Sequence, residues 1–359
     1  MLRKLKLERM IKSMVFLLVA GISFISCYPK PDNKVLVERE VSKIIPFNGF
    51  LWFVSSNLYR KGAEPSSSTA SYNGQWSLID AKCEETKLEN ISSIATDGTY
   101  LYCYVTETID NVTFNRVYSS NNGEEWIQID ISSFTGFGNA TDSYAKDTSL
   151  LVFDNKAGNG SNSFTGRRAY VRLYNKNGGT DRNGEYEVHA LEGTSVGYVV
   201  SGSDSNSVSA AYSSGITFFS DSVDMIGCNG KVYKTSNTGI QYSSDGNDWT
   251  SVNLNKGTIY SLEITADYFL IGTEKGLFRV GLTDGVPSSE TTAFSNNTHT
   301  LFNSKITGIY TLDRSVNEGT SDEYVVMPVS KYVNPGEKVN EIGLYAYYPN
   351  QSQWAKDID

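Results

Sequence analysis

The chain has 359 residues and a formal net charge of −9, with 31 Lys and Arg against 40 Asp and Glu. That balance excludes a nucleic-acid partner held by phosphate neutralisation, which needs an excess of Lys and Arg. Tyr, Phe and Gly are abundant, at 23, 16 and 31 residues, and Ala and Leu do not recur at helical spacing, so an all-β fold is expected.

In chain order the first element is a leader. Arg3, Lys4, Lys6, Arg9 and Lys12, offset by Glu8, precede an uncharged and mostly apolar run from Ser13 to Ile25. A membrane-spanning helix needs about 20 apolar residues, so this shorter run reads as a secretory signal peptide over residues 1–26. The leader carries five basic residues and one acidic, which puts the remaining chain near −13. The run ends in Phe24-Ile25-Ser26-Cys27, which resembles the lipobox of bacterial lipoproteins. The resemblance implies thioether lipidation of Cys27, removal of residues 1–26, and acylation of the new N-terminus with a fatty acid such as palmitate. Several acyl chains, at about 0.8 kcal/mol per buried CH₂, hold a protein to a membrane far more firmly than one. Residues 27–40, with Pro29 and Pro31 among polar neighbours, read as an extended tether. Tyr28 stands where the inner-membrane retention signal has Asp. The implied location is the bacterial cell envelope, the outer membrane ahead of the inner, with periplasmic and surface sides both open.

Residues 41–359 carry a repeat of roughly 45 to 60 residues, the range of propellers and solenoids. Two copies are closely alike. The first has Ile44–Phe47, Leu51–Val54, Leu58–Arg60 and a closing strand from Trp76. The second has Ile91–Ile94, Leu101–Val105, Val117–Ser119 and a closing strand from Trp126. Later copies drift. The third uses Leu150–Phe153, Val171–Tyr174 and, in place of the Trp strand, Tyr186–Val188. The fourth uses Met225–Cys228, Ile240–Ser243 and Trp249–Val252. A short fifth covers Ile259–Val280, and the sixth runs from Tyr324 to Trp354. The expected architecture is a β-propeller of about six four-stranded blades, with residues 194–224 able to supply a seventh. A ring suits the pattern because no single unit can bury its own apolar face, and radial closure protects the sheet edges.

Two turns have a sharper signature. Ser119-Ser120-Asn121-Asn122-Gly123-Glu124-Glu125-Trp126 resembles the Asp-box, or BNR repeat, S-x-D-x-G-x-T-W. A tighter version runs from Ser243 through Asp245 and Gly246 to Trp249. In that motif an Asx side chain accepts backbone N–H groups, Gly permits positive φ, and Trp seals the turn. The resemblance therefore implies that Ser119, Asn121, Gly123, Trp126, Ser243, Asp245, Gly246 and Trp249 form structural turns away from any active site. The stretch Phe269–Val280 is similar to a strand pair of such propellers.

No catalytic residue is singled out. Sialidases carry Asp-boxes together with an Arg triad, a Tyr–Glu pair and an early Phe-Arg-Ile-Pro. Phe278-Arg279-Val280-Gly281 is the nearest local match, and it falls late in a repeat strand without the Pro. His189 and His299 stand apart, which gives no metal site, and no cofactor motif is evident. Cys83, Cys103 and Cys228 allow at most one disulfide, and each reads as a small buried hydrophobe. What remains is recognition of a protein or glycan by loops on one face. The candidates are Phe164, Arg167 and Arg168 in the stretch Asp154–Ala169, Tyr332 and Lys338 in the stretch 331–338, and the stretch Glu107–Arg116. The expected function is a lipid-anchored, non-enzymatic binding propeller. The alternatives are a divergent sialidase-like or other glycan-processing enzyme and an envelope assembly scaffold.

Overall fold

Phe50–Ser55 shows how local chemistry sets the framework. Five of its six residues are buried, so it can only be an inner strand. It is flanked by turns at Asn48-Gly49 and Ser56, all three at positive φ, which reverse the chain tightly on either side. The computed structural model describes residues 41, 43–62, 76–109, 112–131, 149–156, 164–174, 186–201, 224–228, 230–244, 248–264, 268–293, 304–313, 323–332, 339–348 and 353–358. Among these every regular element is a strand, and the fold is all-β.

The strands fall into six antiparallel modules among the described residues, each built from consecutive strands. Module 1 is β1 (Ile45–Phe47), β2 (Phe50–Ser55), β3 (Asn57–Gly62) and β4 (Ser77–Ile79). A short hairpin follows, β5 (Lys82–Cys83) and β6 (Thr86–Lys87). Module 2 is β7 (Ile91–Thr96), β8 (Leu101–Ile109), β9 (Val112–Ser120) and β10 (Glu125–Ile129). Module 3 is β11 (Ser149–Lys156), β12 (Phe164–Tyr174), β13 (Tyr186–Glu192) and β14 (Ser195–Ser201). Module 4 is β15 (Met225–Cys228), β16 (Lys231–Thr235), β17 (Gly239–Ser243) and β18 (Thr250–Asn253). Module 5 is β19 (Ile259–Ile264), β20 (Tyr268–Thr273), β21 (Gly276–Thr283) and β22 (Val286–Ala293). Module 6 has a first strand in two pieces, β23 (Ser304–Ile306) and β24 (Tyr310–Asp313), then β25 (Glu323–Tyr332), β26 (Val339–Tyr348) and β27 (Gln353–Ile358).

The apolar core runs between modules. One cluster joins Trp52 and Leu58 of module 1, Ile94 and Tyr102 of module 2, and Leu150 and Val171 of module 3. Another joins Leu151 and Tyr170 of module 3 to Met225 and Val232 of module 4. A third joins Tyr233 and Ile240 to Phe269 and Val280 across modules 4 and 5. Among the described residues these clusters run from each module into the next in sequence, which is the behaviour of a repeat architecture.

One docking device recurs. At three junctions the turn between the third and fourth strands of one module lies on an aromatic of the preceding module's second strand or the turn leading into it. Gly123 (φ +82°) lies against the Trp52 ring, where a Cβ would come 2.2 Å from Cη2. Gly193 (φ +62°) lies against Tyr100, and its N–H donates to Tyr102 Oη at 2.9 Å. Gly285 (φ +73°) accepts from Tyr233 Oη at 3.0 Å through its carbonyl. At these three junctions the neighbours are therefore seated the same way round.

Several expectations need correction. Strand pairing does not keep the modules as separate four-stranded sheets. β11 and β15 run in the same direction and share a parallel ladder from Phe153↔Met225 to Lys156↔Cys228, so modules 3 and 4 form one eight-stranded sheet. β5 pairs parallel with β10 and extends module 2 to six strands. In module 3, Tyr186–Glu192 is the third strand, and the closing strand is Ser195–Ser201, inside the stretch that sequence left ambiguous. Module 5 is not short, because Val286–Ala293 completes it.

Candidate functional site

The polar groups that join distant parts of the chain collect where the first strands of the modules begin. Lys43, just before β1, donates to the Leu150 carbonyl at 2.9 Å and to Asp224 Oδ1 at 2.8 Å. The same Asp224 oxygen accepts the Val152 N–H at 2.9 Å. Thr307 Oγ1, between β23 and β24, donates to the Val41 carbonyl, and both residues are buried. Farther along β11, Asp154 takes a two-pronged bond from Arg167, with Nη2 at 3.1 Å from Oδ2 and Nε on Oδ1. Arg167 Nη1 also donates to the Pro46 carbonyl at 2.9 Å. Lys43 and Arg167, each also in an ion pair, thus hold β1 beside β11 and β12 through the Leu150 and Pro46 carbonyls. Arg167 is 7% exposed at its side chain and Asp154 23%, so this pair is shielded from solvent, while Asp224 at 43% keeps a face to water. Asp154 is committed to Arg167, and Asp224 to Lys43 and a backbone N–H, which suits bracing more than acid–base chemistry.

The Asp-box-like turn of module 2 is fully described. Asn122 Oδ1 accepts the N–H groups of Glu124 at 2.8 Å and Glu125 at 3.0 Å. Ser120 Oγ accepts from Gly123 N–H at 2.8 Å and Asn122 N–H at 3.3 Å. Trp126 Nε1 donates to the Gly123 carbonyl at 3.1 Å. The side chains that close the turn are therefore Ser120 and Asn122, one position after Ser119 and Asn121. Ser119 Oγ is buried without a hydrogen-bond partner among the described residues. Asn121 offers its carbonyl to Asn48 Nδ2 at 2.8 Å. With the Arg60–Glu124 ion pair at 2.9 Å, these contacts seat the turn on module 1.

In the second turn, Asp245 and Gly246 lie outside the described residues. Ser243 is buried at the end of β17, and the Trp249 ring carries the Lys234 ammonium 4.0 Å from its centroid. Lys61 sits similarly over Trp76 at 6.0 Å. In these two modules the Trp that opens the closing strand is covered by a buried lysine, whose stem packs while its charge meets the ring.

The proposed binding loops change character. Asp154–Ala169 is mostly strand, because β11 and β12 pair as far as Lys156↔Phe164. It connects the first and second strands of its module, so it lies at the opposite end from the second-to-third-strand turns. Arg167 is engaged as above, Arg168 is exposed on β12, and Phe164 begins β12. Tyr332 ends β25, and Lys338 lies outside the described residues. Glu107 and Arg116 are also strand residues, paired with each other at 3.3 Å across the long β8–β9 hairpin. These stretches read as loops because polar side chains alternate there as they do in an exposed strand.

Cys27 and His299 lie outside the described residues. Cys83, Cys103 and Cys228 are free thiols. Burial, with nearby Cys83 adding to it, pushes the Cys103 thiol well above its usual range. His189 is fully buried on β13, and among the described residues no group of three or more His, Cys, Asp or Glu could hold a metal.

One cluster was missed by sequence. Tyr260 Oη donates to Glu274 Oε1 at 3.2 Å, and the Lys305 ammonium sits 4.3 Å from the Tyr260 ring centroid. Burial and then Glu274 raise the phenol's pKa, while Lys305 lowers it. The three come from the start of β19, the β20–β21 turn and β23, so no local motif announced them. Arg279 of the Phe-Arg stretch stacks on Tyr268 instead, 4.7 Å from the ring centroid.

No protein-family model matches the sequence, and no curated protein matches it. Among solved structures it is similar to YjhT, at 9% identity over 88% of this chain and 97% of that one, with a TM-score of 0.42. It is similar to the β-propeller domain of the Trilobed protease from Pyrococcus furiosus, at 10% identity over 89% and 98%, with a TM-score of 0.39. It is also similar to the acylaminoacyl peptidase of Pyrococcus horikoshii, at 12% identity over 87% of this chain and 43% of that one, with a TM-score of 0.38. At these identities and TM-scores the likenesses decide neither family nor function.

Proposed function

We propose that the chain is a lipid-anchored β-propeller of the bacterial cell envelope that binds a protein or glycan and performs no chemistry of its own. The observation that carries the ring reading is the repeated seating of a positive-φ glycine turn on the preceding module's aromatic, at Trp52, Tyr102 and Tyr233. A constant sense of docking from one module to the next is what a ring requires. The reading that it performs no chemistry of its own is supported by Asp154 and Asp224, which are tied to Arg167 and Lys43. The anchor reading rests on the leader and Cys27. Metabolic labelling with a fatty-acid analogue should mark the wild type and not Cys27→Ser, and equal labelling of both ends the anchor reading. Glycan-array binding or reproducible capture of one envelope partner tests recognition, and the latter alone favours the assembly-scaffold form.

The Tyr260–Glu274 pair beside Lys305 favours a second reading, a divergent glycan-processing enzyme. It ranks lower because burial and Glu274 both disfavour ionisation of the Tyr260 phenol, so attack would depend wholly on Glu274 taking the proton. Hydrolysis of aryl glycosides by the wild type, abolished in Glu274→Gln, would reverse that order.

A further inference from the structure

The six modules are each made of consecutive strands, and among the described residues no strand passes from the first module to the last. Sequential neighbours have packing to hold them: β1 and β2 on β7, β7 on β11 and β12, β16 on β19, and β20 and β21 on β23. The junction of module 6 with module 1 has no chain continuity behind it, so closing it costs the entropy of a loop spanning nearly the whole domain. Among the described residues Val41 and Thr307, 266 residues apart in sequence, meet at that junction.

We propose that Val41 and Lys43, on the chain as it enters the domain, form a strap that closes the array; this rests on the ring reading above. Val41 holds module 6 through Thr307. Lys43, two residues on, holds module 3 through the Leu150 carbonyl and module 4 through Asp224. Asp224 passes the restraint to β11 by accepting the Val152 N–H. The strap works where strand exchange would otherwise act. Its parts are suited to the task, because Val41 is 1% exposed and the Lys43 side chain only 15% exposed. A lysine held there exchanges solvation for one carbonyl and one carboxylate, so charge-assisted bonds replace the missing ladder.

Native-state hydrogen exchange on the full chain tests this. Lys43→Met should raise exchange about tenfold at Val152 and across Ser149–Lys156 and Met225–Cys228, leaving the Val112–Ser120 strand unchanged. Thr307→Val should raise it similarly across Ser304–Ile306 and Ile45–Phe47, and Lys43→Arg should restore most of the protection. If Lys43→Met does not fold, Thr307→Val, which removes a single hydroxyl, carries the test alone. Unchanged exchange at those strands, or an equal rise at Val112–Ser120, overturns the strap. Electron-microscopy images separate the two failures. An open array in the wild type overturns the ring reading and the strap together, while a closed ring in a Lys43→Met, Thr307→Val double variant with unchanged exchange overturns the strap alone.

Discussion

The Trp52 ring occupies the space that a side chain at residue 123 would need. A Cβ on Gly123 would fall 2.2 Å from Cη2 and 2.8 Å from two further ring carbons, and the backbone there stands at φ +82°. The Trp cannot swing aside easily, since it is fully buried and its Nε1 donates to the Phe47 carbonyl at 2.9 Å. Gly123 is therefore required twice, by its own turn and by the neighbouring module.

Gly123→Ala should accordingly cost about 3–4 kcal/mol, summing left-handed strain with overpacking. Gly98→Ala is the matched comparison. Its φ of +89° is as demanding, but nothing lies within 4 Å of its Cβ position, so it should cost only about 1 kcal/mol. Urea unfolding of both variants checks the difference, and equal losses would show that packing against Trp52 contributes nothing.

Gly272→Ala probes the junction of modules 5 and 6. The added Cβ would meet Ser261 Oγ at 2.2 Å and the Ile306 carbonyl at 2.5 Å. The hydroxyl can rotate, but the backbone of β23 cannot give without moving the strand. The expected outcome is a loss of about 2–3 kcal/mol with protease sensitivity appearing first near Ser304–Ile306. Cleavage patterns identical to the wild type would contradict it.

How much of this was legible beforehand depends on what each feature rests on. The strands of modules 1 and 2 could be placed because Trp, Leu-Tyr and Ile runs alternate with polar turns, and β1 to β4 fall where the pattern put them. The closing strands Ser195–Ser201 and Val286–Ala293 could not: the first holds Val196, Tyr198, Val199 and Val200 but no opening Trp, and the second is an edge strand of mostly Ser, Thr and Glu. Arg167 looked like a loop residue since its partners, Asp154 and Pro46, are brought to it only by pairing and packing. In the turn that resembles the Asp-box the side-chain bonds fall on Ser120 and Asn122, one position after those the resemblance implies, because Ser119-Ser120 and Asn121-Asn122 are each repeated and spacing alone cannot choose between them.

That ambiguity can be settled by substitution. Asn122→Ala removes the acceptor for two backbone N–H groups and should cost about 1–2 kcal/mol, within the range for a lost local cap. Asn121→Ala keeps its carbonyl bond to Asn48 and should cost under about 0.5 kcal/mol. Thermal unfolding of the pair decides it, and the reverse order would place the motif where the resemblance first put it.

Arg167→Met tests whether this residue braces or binds. It leaves Asp154 without its cation and Pro46 without a donor, so stability should fall by about 2–3 kcal/mol, less than for a fully buried pair because Asp154 keeps some water. Unaltered stability with lost ligand binding would return Arg167 to the recognition surface.

Alkaline pH offers the last test. Burial, reinforced by nearby Cys228 and Tyr242, pushes the Tyr233 phenol far above its ordinary value near 10. Tyr102 is raised in the same way, by burial first and then by its hydrogen bond to Asp97. Below about pH 10 both phenols are neutral in the folded and unfolded chain, and their contribution to stability is complete. Above it the unfolded chain loses these protons first, so the unfolded state gains and stability falls as pH rises, until the folded values are reached. Each phenol should steepen the decline by at most about 1.4 kcal/mol per pH unit. Tyr233→Phe should be somewhat less stable than the wild type at pH 8, having lost its bond to the Gly285 carbonyl, yet decline more gently between pH 10 and 11.5. Parallel declines in urea titrations would mean that Tyr233 ionises as readily in the folded domain as outside it.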